Sequence, residues 1–160
     1  MSVRPRPLRI RLLISLPLLV AGTASAQTAE YLTNPEMEAL GLPFSEAVRV
    51  DDVLFLSGQI GNVPGTLELV EGGIRPETRQ TMDNIRATLE RHGSSLDRVI
   101  KCTVFMADMS EWPAMNEIYA TYFPGPKPAR SAAGANGLAL GARVEIECIA
   151  LVGDSRKERP

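Results

Sequence analysis

The spacing of apolar positions changes several times along this 160-residue chain, and each change marks an element. Ala47–Val50 and residues 53–57 are short runs of β-branched and large apolar side chains. The polar pair Asp51-Asp52 joins them, so they predict two strands with a tight connection. Pro64-Gly65 marks a turn, and residues 67–70 predict a short third strand that Gly72-Gly73 ends. From Pro76 the period lengthens. Thr78, Met82, Ile85 and Leu89 step by four, three and four, setting one apolar stripe along a helix that Gly93 stops. Pro76 suits a first helical turn, and Glu77 favours the dipole there. Val99–Met106 predicts a buried strand. Ser110 is the expected cap of a second helix with Trp112, Met115, Tyr119 and Tyr122 on one face; Pro124-Gly125-Pro126 ends it. Residues 129–133 and 142–151 predict the last two strands. The order βββαβαββ is an α+β arrangement, a mixed sheet with two helices packed on one face.

The first 26 residues follow a different rule. Arg4, Arg6, Arg9 and Arg11 come without an acidic residue, an apolar run covers residues 12–21, and Ala24 and Ala26 flank Ser25. This is the three-part pattern of a secretory signal peptide cleaved after Ala26. The apolar run is about half the roughly 20 residues that a membrane anchor needs. The expectation is a periplasmic or secreted protein, free of the membrane after cleavage. Residues 27–160 then form a single domain with its core at about 43–152, preceded by an irregular lead-in over 27–41. Export also changes the charge. The whole chain has 17 basic and 19 acidic residues; without the leader, 13 face 19, a net charge of −6. Such a surface repels nucleic acid and anionic membranes. Hydrophobic residues at 44% and charged residues at 22% exclude a disordered chain.

One His and two Cys leave almost nothing from which to build a metal site or a His-based triad, so neither metal nor cofactor is expected. Cys102 and Cys148 both sit in apolar runs and read as buried structural thiols, with pairing left open by an oxidising compartment. His92 in the last turn of the first helix reads as structural. Ser57 before Gly58 lacks the spacing of a nucleophile elbow. The segment Val144-Glu145-Ile146-Glu147-Cys148 is more informative. Alternation puts Glu145 and Glu147 on one face, away from the helices. Arg130 lies on the preceding strand, and a strand–loop–strand connection can bring its guanidinium beside the Glu145 carboxylate. That pair could clamp a substrate carboxylate and position a water. The same pattern also fits a structural salt bridge or a solvated edge.

Several segments, in order, carry a resemblance: Pro43-Phe-Ser-Glu-Ala-Val48, Ser57-Gly-Gln-Ile60, Gly72-Gly-Ile74 leading to Thr78-Arg-Gln80, Asp83-Asn84, Asn116-Glu-Ile-Tyr119, Pro128-Ala-Arg-Ser131 and Val144-Glu-Ile-Glu147. Together they resemble the Rid family of reactive-intermediate imine deaminases, from about Pro43 to Leu151. The resemblance implies a chorismate-mutase-like fold and a homotrimer with a ligand cleft at each subunit interface. It implies that Arg130 binds the carboxylate of a 2-imino acid and Glu145 positions the hydrolytic water. Ser57, Gly58 and Asn116 would line the cleft. Phe44 and Ala132 stand there where many active members have Tyr and Cys.

The implied activity is hydrolytic deamination of small 2-imino acids, of the 2-iminobutanoate and 2-iminopropanoate type, to 2-oxo acids and ammonia. No cofactor is needed, because an imine is already electrophilic. Two other readings stand beside it. One is a non-catalytic binder of small carboxylates in the periplasm. The other is the endoribonuclease or translation-inhibitor activity attributed to some relatives, which the acidic charge and the missing second His oppose.

Overall fold

The computed structural model describes residues 28–153; the expected signal peptide and its cleavage point lie outside them. In chain order the elements are β1 (Ala29–Leu32), α1 (Pro35–Leu40), β2 (Ala47–Val50), β3 (Val53–Leu56), β4 (Gln59–Ile60), α2 (Ile74–Arg91), β5 (Val99–Met106), α3 (Trp112–Tyr119), β6 (Ala129–Gly134) and β7 (Val144–Leu151). The strands make one mixed sheet in the order β1-β2-β3-β7-β5-β6, and β4 pairs with β7 beyond the end of β3. Only β5 and β6 run parallel. A parallel pair needs a crossover, and the segment carrying α3 supplies it. The α+β arrangement expected from the sequence is the one observed.

Burial along β7 alternates: Val144, Ile146, Cys148 and Ala150 are buried, and the residues between them are not. The buried set faces α2, whose predicted stripe Thr78, Met82, Ile85 and Leu89 is fully enclosed. Each large apolar side chain enclosed this way contributes about 1.5–3 kcal/mol. Glu77 ties the layers together at the start of α2, because its Oε1 accepts the Arg143 backbone N–H at 2.6 Å. Gly61 makes room for this contact. A Cβ there would fall 2.4 Å from Glu77 Cγ, so only glycine lets the chain close on α2.

The lead-in is not irregular. β1 pairs with β2, and α1 is a short helix whose Asn34 side chain caps Met37 N–H at 3.0 Å. Its end is Gly41 in the left-handed conformation, φ 64°. The expected strand at 67–70 does not form; Leu69 makes one isolated bridge to Asn62. Thr66 and the Asn62 amide hold that segment in a local turn instead. The first long helix starts at Ile74, two residues before Pro76. Asp108 rather than Ser110 caps the turn before α3, since Asp108 Oδ1 accepts the Ser110 N–H at 2.8 Å.

Cys102 and Cys148 are joined, which corrects the expectation of two thiols. Strand register explains it: the two residues are direct partners across β5 and β7, both buried, with Cα atoms 4.1 Å apart. Period alone puts each cysteine in the core, but only the pairing of distant strands sets them opposite each other. The bridge closes a 46-residue separation, which in the chain-entropy account stabilises the fold by about 4 kcal/mol.

Candidate functional site

Arg130 lies on β6 opposite Cys102, so its side chain leaves the sheet on the helix-covered face. There α3 receives it. Arg130 Nη1 donates to Asn116 Oδ1 at 2.7 Å. The guanidinium carbon stands 4.7 Å from the Tyr119 ring centroid and 5.8 Å from that of Trp112. Trp112, Asn116 and Tyr119 follow one another by four and three along α3, a single helical face. The cation is thus held by two aromatic rings and one amide, which fixes its direction more tightly than a lone hydrogen bond. Tyr119 has a buried hydroxyl with no hydrogen-bond partner among the described residues. Burial pushes the Tyr119 pKa up, against the pull of the Arg130 charge, so this hydroxyl stays a neutral donor. The stripe that the sequence sets on one face of this helix therefore also carries the arginine. Periodicity gives no signal for that second use.

Glu145 is built differently. On β7 it pairs with Ile60 of β4, which continues β3 in the same direction along β7 after one extra residue bulges out at Ser57-Gly58. A Cβ on Gly58 would fall 2.0 Å from Glu145 Oε1, so bare backbone lies against the carboxylate. Burial, and then the neighbouring charge of Glu147, raise the Glu145 pKa above its ordinary value. A carboxylate in this state is a stronger base than one in water. Glu145 and Gly58 help line a cavity of about 400 Å³, together with Phe44, Met37 and Leu40 of α1 and Ala87 of α2.

The sheet does not bring Arg130 and Glu145 together within one chain. Cys148 shares a face with Cys102 and Arg130, and Glu145, three residues away on the same strand, faces the other way. β5 also lies between β6 and β7. The expected strand–loop–strand clamp is therefore absent, because the loop joins strands that are not neighbours. Two separate groups form instead: Arg130 with Asn116, and Glu145 with Gly58 and Phe44. Ser57 joins neither directly. Its hydroxyl donates to Ser45 O at 2.7 Å and its N–H to Glu46 O at 3.0 Å, which anchors the segment carrying Phe44. Ala132 lies exposed on β6, opposite Val104. His92 is structural as expected: its Nε2 meets Glu46 Oε2 at 2.8 Å, while Arg91 and Thr88 bond the other oxygen. Burial would raise the Glu46 pKa, but the His92, Arg91 and Thr88 contacts outweigh it and hold the group below its ordinary value.

The family described as Endoribonuclease L-PSP matches residues 19–152. A Mus musculus protein named 2-iminobutanoate/2-iminopropanoate deaminase is 44% identical over 111 residues, covering 69% of this chain and 82% of that protein. The chloroplastic Reactive Intermediate Deaminase A of Arabidopsis thaliana is 37% identical over 128 residues, covering 80% and 68%. The crystal structure of the yeast protein YEO7 superposes with a TM-score of 0.73 at 39% identity, covering 78% of this chain and 99% of that one. With fold, motifs and these identities in agreement, the chain is a member of the Rid family.

Proposed function

We propose that this protein hydrolyses 2-imino acids to 2-oxo acids and ammonia, at sites shared between copies of the chain in a homotrimer. The observation that carries the reading is the division of the site. Arg130, Asn116 and Ala132 form one half on β6 and α3; Glu145, Gly58 and Phe44 form the other on the opposite face. Each half suits one task and neither suffices alone. A neighbouring copy that sets its β6 edge against β7 of the first completes the pair. The open face of the sheet favours such packing, since Phe55, Phe105, Ile149 and Leu151 lie on it beside Glu145.

In this scheme the Arg130 fork, oriented by Asn116 and the Tyr119 ring, holds the substrate carboxylate. Glu145 takes a proton from water as the water oxygen adds to the imine carbon, giving a tetrahedral carbinolamine. Glu145 returns that proton to the imine nitrogen, which completes the carbinolamine. It then relays the carbinolamine O–H proton to the same nitrogen as C=O forms and the C–N bond breaks, and ammonia leaves. Phe44 supplies the cleft's aromatic wall without a hydroxyl. Ser57 acts through the backbone it anchors. Localisation belongs to the same proposal: a buried disulfide in a small domain fits the oxidising compartment to which a signal peptide would deliver it.

Ammonia release from imines generated in place by an amino-acid oxidase tests the reaction. Arg130→Ala is expected to abolish it, and undiminished activity in that variant would sink the assignment. The ribonuclease reading finds little here, because the one His is bonded to Glu46.

A further inference from the structure

We infer that the cavity beside Glu145 is a side-chain pocket, and that the protein prefers 2-imino acids with a bulky apolar side chain over the smallest ones. The inference rests on the deaminase reading and names its substrate class. Large exposed apolar residues gather at this cavity: Leu40, Phe44, Leu67 and Leu140 are each 36–53% exposed, and all four line it. Leu140 does so from the left-handed region, φ 57°, a costly conformation for a branched side chain. An apolar concavity of about 400 Å³ lies within the range of small-molecule sites, whereas a single methyl group would leave most of it to water.

Several polar groups of the lining bond one another; Glu36 and Gln59, also on it, make no side-chain hydrogen bond among the described residues. Asn84 Nδ2 donates to Ile60 O and Asn62 O, both at 3.0 Å, and its Oδ1 accepts from Gln80. Asn34 caps α1. Arg91 and Thr88 both bond Glu46, so the cation and the anion of this wall neutralise each other. Most of what the wall offers is hydrocarbon. A substrate held by its carboxylate, with its imine carbon at Glu145, has its side chain as the part free to enter. An anionic side chain would meet no free cation there, because Arg91 is paired with Glu46, and would lose its water.

The experiment compares kcat/KM of the purified protein for imines generated from leucine, phenylalanine and alanine. The leucine-derived imine is expected to exceed the alanine-derived one by about tenfold or more. Ala87→Met lengthens an exposed side chain on the α2 wall with a good helix former, and it is expected to lower that ratio by about tenfold. Leu40→Gln, on the opposite wall, is expected to lower the same ratio without unfolding the chain, which a melting curve checks. Equal kcat/KM for the three imines, or an unchanged ratio in both variants, overturns the pocket and leaves the deaminase reading standing. No turnover of any imine overturns both.

Discussion

Glu145 meets two opposing demands. Burial first, and Glu147 second, raise its pKa above the ordinary 4.5, so the folded protein holds this proton more tightly than the unfolded chain. Its contribution to stability is present at low pH and lost as pH rises through the raised folded value. Glu145→Gln removes that penalty and the base together. The variant is expected to melt no lower than the parent at neutral pH, and to release no ammonia; a thermal melt and the release assay read the two effects. The parent's activity should fall on the acid side at a pH above 4.5, because the base must be ionised to accept a proton. A profile flat down to pH 4 would count against Glu145 as the base. Alternation made this residue legible in sequence, and the motif around it made Arg130 legible. The roles of Trp112 and Tyr119 were not. A stripe at helical spacing looks the same whether it packs only on a core or also carries a guanidinium.

At the level of elements, the one-residue bulge between β3 and β4 sets the glutamate half of the site. Gly58→Ala would put a methyl group into the Glu145 carboxylate. The colliding atom is the end of a flexible side chain, so the fold should survive while the carboxylate swings away. The expected outcome is a soluble protein with unchanged secondary structure by circular dichroism and a kcat reduced about tenfold or more. The cross-link between β5 and β7 makes a second prediction. Reducing it, or replacing both cysteines by alanine, should lower the unfolding free energy by about 2–4 kcal/mol, read as a shifted denaturant midpoint. Elements with a long period were readable: α2, β5 and β7 announce themselves over eight or more residues. α1 was not, because six residues cannot display a stripe, although Asn34, Pro35 and Gly41 are start and stop signals. β4 has two residues and owes its existence to β7, so no local pattern encodes it.

For the whole molecule, the proposed reading makes assembly part of the chemistry, because the two halves of the site lie on opposite faces of the sheet. Arg130→Ala and Glu145→Gln proteins, each inactive, are expected to recover activity when unfolded and refolded together. Random mixing in a ring of three gives about a quarter of the interfaces an intact arginine from one copy and an intact glutamate from its neighbour. No recovery in mixed trimers would mean that each site draws both residues from one chain. Sedimentation should find a species of three copies, and Phe55→Asp on the open face should shift it toward smaller species with lost activity. None of this was legible in composition or period, which describe one chain and not the packing of several. The bridge between Cys102 and Cys148 has a consequence for how each copy matures. A chain with two cysteines has a single intramolecular pairing, so there is no wrong isomer to unscramble. Its oxidation requires an electron acceptor and no disulfide shuffling, and formation of the β5–β7 ladder selects the moment at which the thiols meet.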